Sequence, residues 1–295
     1  PFFRVIGFEP DERSASELNT ERSMDTAMTF LSVGLYNKKA SIPLYLTRTK
    51  TDSSIFEPDM TFLKKFPHAD RFEVVGREVM QVDMLDNQLN DHNVTDVDFI
   101  KVDTQGSELF ILQGAANILS QAVFGVEVEV EFSPLYFGQP VFSDVDVFMR
   151  SRGFQLFDIA PCFWKRKRGK NLGGKRGQII YANALYLKDS KTFSMLVGVL
   201  TEDHAQKSKV LRAVAICLLH GYADYALEVA EAARSIFTHE EYATLISDIA
   251  KSGTSTSIIP HFPGKATLAS YLLWLAHVME PTTHYWKQVR DEIGN

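Results

Sequence analysis

The stretch Val126-Glu127-Val128-Glu129-Val130-Glu131-Phe132 constrains this chain more than any other. Strict alternation of valine and glutamate suits only a β-strand, with the valines on one face and the three acids on the other. Three carboxylates in a row inside a covered sheet repel one another, and burial raises their pKa values. Such a row is tolerable where cations, hydrogen-bond donors or water line that face. The end nearest the strand tip, Glu129 with Glu131, is therefore a candidate for binding a substrate hydroxyl or for general-base work. A salt-bridged, purely structural row is the competing reading.

Around this strand, apolar runs alternate with helix-periodic ones. Strands are expected at Arg4–Phe8, Thr29–Leu35, Ile42–Thr47, Asp98–Val102, Val123–Phe132, Phe154–Ile159 and Ala182–Leu187, and helices at Asp11–Asn19, Ser107–Leu119 and Ser143–Arg152. Strand, helix, strand at this spacing predicts an α/β fold, a mainly parallel sheet built by right-handed crossovers with helices on both faces. After about residue 195 strand signals vanish. Helical periodicity over 197–219, 222–237, 238–251 and 265–279 predicts an all-helical C-terminal appendage, and Ser252–Ser257 reads as a flexible joint within it. The expected domains are 1–192 and 193–295.

Composition narrows the partners. A net charge of −6 in 295 residues argues against a nucleic-acid surface and favours small molecules. No run reaches the roughly 18 apolar residues of a membrane span. Two distant cysteines, Cys162 and Cys217, suit a reducing, cytoplasmic setting. The eight histidines show no ligand spacing, so no metal site is expected. Nothing in the sequence speaks to oligomeric state.

Ligands of doubly wound sheets sit at the carboxyl ends of strands. Glu9, closing the first strand before Pro10, is suited to accept hydrogen bonds from both hydroxyls of an adenosine ribose; the alternative is an acid at a helix N-terminus. Asp103 ends a second strand in Asp98-Phe99-Ile100-Lys101-Val102-Asp103-Thr104-Gln105-Gly106-Ser107-Glu108. It can meet a cationic cofactor or take up a proton, or simply cap the next helix. Lys101, with Asp98 and Asp103 nearby, can equally form a structural ion pair. The run from Trp164 to Arg176 holds seven basic residues, Lys165 and Arg166 first, and suits either a phosphate or a solvated loop tip. Two loops, 53–58 and 133–140, the second containing Tyr136, combine hydroxyls and aromatics as small-molecule pockets do.

Taken together, VIGFEP (5–10), DFIKVDTQGSELFILQGA (98–115), VEVEVEFSPLYFGQPVFSDVDVF (126–148), GFQLFDI (153–159), the WKRKRG loop and GQIIYANALYL (177–187) resemble the FkbM-type methyltransferases, the later segments one bacterial branch of them. The likeness spans about residues 3–190. It implies a class I methyltransferase (Rossmann-like) fold, S-adenosyl-L-methionine as cofactor and a hydroxyl acceptor on a sugar or other small metabolite. It places Glu9, with Pro10, at the ribose, and Asp103, with Gln105, near the methyl-transfer centre, leaving the base among Asp103, Glu129 and Glu131 undecided. Tyr136, Lys165 and Arg166 are the substrate candidates. The family opens with a strand and a Gly-rich loop of the D-x-G-A-N-x-G kind. Nothing similar precedes residue 4, and Asn171-Leu172-Gly173-Gly174 falls out of order. The expectation is thus a chain lacking that strand and loop, which binds cofactor poorly as it stands. Two other readings stay open: a nucleotide-sugar or NAD enzyme, and a non-catalytic interaction module on the same scaffold.

Overall fold

The computed structural model describes residues 3–21, 27–169, 177–253, 267, 271 and 272. The chain starts with β1 (Val5–Phe8), α1 (Glu12–Glu21) and β2 (Met28–Leu31), the two strands pairing in parallel from Val5 opposite Met28 to Phe8 opposite Leu31. Asp11 starts α1, its Oδ1 accepting the amides of Arg13 (2.9 Å) and Ser14 (3.3 Å). Those bonds lower the Asp11 pKa, that to Ser14 most.

A second sheet follows, of order β3 (Gly34–Leu35), β5 (Val74–Asp83), β4 (Ala40–Thr47), with the short α2 (Met60–Leu63) between β4 and β5. The sequence alone does not mark β5 as a strand. Its exposure alternates only weakly, and Gly76 and several charges interrupt its apolar pattern. Pairing with β4 makes it a strand. The expected single strand over 29–35 is two, β2 and β3.

After α3 (Leu85–Asp91) comes the main sheet, of order β6-β7-β9-β8: β6 (Phe99–Val102), β7 (Gly125–Glu131), β8 (Phe154–Trp164) and β9 (Gln178–Lys188). The α/β class holds, with a more mixed sheet than a mainly parallel one. β6 runs parallel to β7, while β9 is antiparallel to both β7 and β8. That pairing also makes β8 and β9 eleven residues each, longer than their apolar runs suggest. β8 lies at the sheet edge, where Pro161 is tolerated.

The expected helix 107–119 is broken into α4 (Glu108–Gln113) and α5 (Ala116–Gln121). A Cβ on Gly114 would lie 2.1 Å from the Tyr36 carbonyl oxygen, so the backbones touch where the helix stops. Asp86 then starts α5 from a distance, accepting the amides of Asn117 (2.9 Å) and Ile118 (3.0 Å). With α6 (Phe142–Ser151), these helices bury Val126, Val128 and Val130 of β7 and Ala182, Ala184 and Tyr186 of β9.

The opposite face of the sheet is covered by α7 (Ser190–Gly198), α8 (Asp203–Leu219), α9 (Ala223–Ala232) and α10 (His239–Gly253). Leu185 and Leu187 of β9 share one core with Phe193, Val197, Val214, Ala226 and Val229. Burying each large side chain there contributes about 1.5–3 kcal/mol. The helical region is thus a layer of the sheet domain, and the expected boundary at 192/193 falls inside α7. Lys209, 2% exposed, bonds the carboxylates of Asp96 and Asp98 (2.8 Å), which Arg212 also grips. Asp98 is therefore not the partner of Lys101, which pairs instead with Glu127 at 3.0 Å. Residues 252 and 253 of the expected joint are helical; 254–257 lie outside the described residues, as does most of the expected helix 265–279.

Candidate active site at the strand tips

The acids of β7 stand opposite Leu185, Asn183 and Tyr181 of β9, so they share one face; α7–α10 cover its Leu185 end, while Tyr181, opposite Glu131, packs on the cluster of Phe66, Phe72, Tyr136 and Trp164. Each meets a different environment. Glu127 has its lysine at 3.0 Å. Glu129 is buried and accepts one bond from Gln105 Nε2 at 3.1 Å. Glu131 is 2% exposed. Burial pushes both Glu129 and Glu131 well above the usual carboxylate range. Neighbouring acids push further: Asp103 and Glu108 on Glu129, Glu108 and Glu129 on Glu131. Burial and mutual repulsion therefore favour the protonated form of both.

Asp103 lies one residue beyond β6, exposed at its tip. The surrounding protein raises its pKa, against the opposing pull of Lys101 and of Gln105. Because water reaches it, the rise counts for less than at the two buried glutamates. The turn after it is tight: Gln105 has φ +58° and Gly106 φ +106°. A Cβ on Gly106 would also stand 2.9 Å from Gln139 Nε2, so glycine is required there twice over.

Glu108, by its sequence only the start of a helix, fastens this turn. Its Oε1 accepts the amides of Thr104 (2.8 Å) and Gly106 (3.1 Å) and the Thr104 hydroxyl (3.1 Å). Burial still raises its pKa. An acid two residues past a strand-glycine turn, in the first turn of a helix, was the available signal for that role.

The loops 53–58 and 133–140 meet each other at this tip. Ser54 Oγ donates to the Gln105 carbonyl (2.7 Å), Asp59 N to the Leu135 carbonyl (2.8 Å) and Phe137 N to the Glu57 carbonyl (2.9 Å). Tyr136, expected to line a substrate pocket, is walled in at 0% exposure. Its hydroxyl lies 2.8 Å from the Asp52 carbonyl and 3.2 Å from Gln105 Oε1, either of which it can donate to. Its role is to hold the loop. Gln105 is likewise spent inside the protein, spanning Glu129 and Tyr136. Gln139, 7% exposed, uses Oε1 to accept the amides of Leu135 (2.9 Å) and Tyr136 (3.2 Å). Its amide lies near enough to Glu131 to favour that acid's charged form, although Nε2 makes no well-formed hydrogen bond.

Glu9 follows Phe8, which packs on the same core as Val102, the residue before Asp103. The ends of β1 and β6 thus rest on one hydrophobic cluster. Glu9 Oε1 accepts the Asp11 amide at 2.9 Å, an N-terminal helix contact of the kind the competing reading foresaw. Pro10 follows it at an exposed bend. Lys165 is 7% exposed just past β8, and Arg166 is exposed. Lys170, Lys175 and Arg176 lie outside the described residues. Among the described residues no cluster of three or more histidine, cysteine or acidic side chains could hold a metal ion, and no helix is long and apolar enough to cross a membrane.

A mixed α/β sheet with helices on both faces and crowded acids at its strand tips defines an enzyme-like Rossmann domain. Its family is shown by the methyltransferase FkbM domain, whose family model matches residues 2–156, more than half of the chain. The chain belongs to the FkbM methyltransferase family. Among solved structures it is similar to the methyltransferase FkbM from Methylobacillus flagellatus KT, at 15% identity and a TM-score of 0.33, over 62% of this chain and 36% of that one. The chain therefore spans about a third of that protein's length. No curated protein matches it.

Proposed function

We propose that the protein transfers a methyl group from S-adenosyl-L-methionine to a hydroxyl of a sugar or similar small metabolite. The observation that carries this reading is the convergence of Asp103, Glu108, Glu129 and Glu131 at the carboxyl tips of β6 and β7. Only Asp103 of the four is open to solvent.

The residues fit the cofactor. Its sulfonium is cationic and suits an acid-rich strand tip, and its ribose diol suits Glu9, of which only Oε1 is engaged among the described residues. When bound, it supplies an electrophilic methyl. Asp103 orients the acceptor hydroxyl and takes the proton that oxygen loses. Glu129 fixes Gln105, and the larger upward shift of Glu129 and Glu131 leaves Asp103 the more readily ionised acid. Much of the acceleration in such a displacement comes from alignment, so the rigidity of the 103–108 turn matters as much as the base.

The test is transfer of labelled methyl to a panel of free sugars by the full-length gene product. Asp103→Asn is expected to lower turnover about a hundredfold, while an exposed substitution moves stability by about 0.5 kcal/mol at most. Retention of full transfer by both Asp103→Asn and Glu9→Ala would overturn the assignment.

A further inference from the structure

A second charged feature lies beyond the acids, and nothing in the methyl-transfer chemistry uses it. Between the end of β8 and the start of β9 is a cleft of about 210 Å³, whose walls include Trp164, Lys165, Arg166, Arg168 and Gln178. Among the described residues no acid lines it, in a molecule of net charge −6. Among the described residues neither Arg166 nor Arg168 forms an ion pair with a carboxylate.

The cleft is held in shape by its own framework. A Cβ on Gly177, at its base, would lie 2.5 Å from the Trp164 carbonyl oxygen, so the two strands close there only with glycine. The Arg166 guanidinium lies 5.4 Å from the centre of the Phe66 ring and donates through Nη2 to Gln178 Oε1 at 2.9 Å. Gln178 Nε2 in turn donates to Ser133 Oγ at 2.9 Å. The Lys167 amide bonds the Lys65 carbonyl at 2.9 Å and anchors the middle of the basic run. Cations placed this way suit a tetrahedral oxyanion, for which a planar guanidinium offers paired donors.

Position links the cleft to the reacting end. Ser133 lies two residues past Glu131. Tyr181, opposite Glu131, is three residues along β9 from Gln178, about 10 Å at the usual strand rise. Asp103 stands beside Glu129 and so level with Asn183, five residues along β9 from Gln178 and two strands across, about 20 Å by strand rise and spacing, so an extended molecule is needed to reach from the cleft to it. We propose that the cleft binds the phosphate, or an equivalent oxyanion, of the methyl acceptor, so that the substrate is an extended, anionic hydroxylated metabolite. The charges at the two ends then orient it: Asp103 disfavours the anionic end at the strand tips, and Arg166 and Arg168 draw it into the cleft. This rests on the methyltransferase reading for the word acceptor, and on the cleft alone for the anion.

Calorimetric titration of the full-length protein with inorganic phosphate and with glucose 6-phosphate, at low salt, tests it, with glucose as the neutral control. Both anions are expected to bind and glucose far more weakly. Arg166→Gln/Arg168→Gln is expected to weaken the anions at least tenfold, Arg168→Gln alone to weaken them less, and Arg150→Gln on α6 to leave them unchanged. Absence of anion binding, or equal binding by the double variant, overturns the proposal. So does arginine-dependent binding only to vesicles of phosphatidylcholine with phosphatidylglycerol, which would make the cleft a lipid site. Titration with S-adenosyl-L-methionine in parallel separates the two readings. Arginine-dependent phosphate binding without cofactor binding sinks the methyltransferase reading and leaves the anion site standing; the reverse sinks the anion site.

Discussion

Glu131 shows how one side chain can cost stability and yet be kept. Its folded-state pKa is raised, by burial first and then by Glu108 and Glu129. A raised folded pKa means a contribution present in full below the ordinary value of 4.5 and lost as pH rises through the folded one. Relative to wild type, Glu131→Gln should therefore be more stable at pH 7, by about 1–2 kcal/mol, and the difference should shrink towards pH 5. Urea midpoints at the two pH values measure it. A variant less stable than wild type at pH 7 would show that Glu131 is held as a needed anion instead. Its pair Glu129 obeys the same sign. At Asp103, open to water, only the activity is expected to move.

At the scale of elements, the break between α4 and α5 is decided by contact and not by propensity. Ser107 to Leu119 is helix-periodic throughout, and Gly114 alone costs about 1 kcal/mol in a helix. What stops α4 is the Tyr36 carbonyl, 2.1 Å from where a Cβ would be, and what restarts the chain is Asp86. Gly114→Ala improves the local helix preference and must push back the strand-loop that carries Tyr36. We expect destabilisation of about 1–3 kcal/mol, read as a lower thermal midpoint. A stabilised variant would mean that the helix was free to continue. Gly106, by contrast, is fixed by its own backbone: φ +106° excludes other residues even without Gln139 beside it.

For the whole molecule, the question is why the four described helices from Ser190 to Gly253 belong to the sheet. Shared apolar burial supplies most of the answer. Lys209 supplies specificity, since a buried ammonium fits only where Asp96 and Asp98 wait for it. Breaking a buried pair from one side strands the other charge. Asp96→Ala/Asp98→Ala should thus cost about 3–5 kcal/mol, while Lys209→Met leaves two solvent-reachable acids and should cost about 1 kcal/mol or less. Equal losses, measured by chemical denaturation, would mean that the network acts only as packing.

The sequence by itself determined what local periodicity can determine. Alternation in 126–132 made β7 and set its three glutamates on one face; apolar runs marked β1, β6, the first half of β8 and the second half of β9; the turn after Asp103 marked a strand tip. The acids at 103, 129 and 131 were legible as a group because spacing puts them there. Tertiary structure decided the rest. Whether a glutamate is paired, half-satisfied or buried depends on which segments cover it, and Lys101 and Gln105 arrive from the neighbouring strand and its turn, 26 and 24 residues away along the chain from the acids they bond. Tyr136 was legible as an aromatic near the site, but only packing made it a buried strut. β5 became a strand through β4, and the C-terminal helices became a layer through Leu185 and Leu187. Local patterns follow from the geometry of one segment; burial, and with it charge state and role, is a property of what folds over that segment.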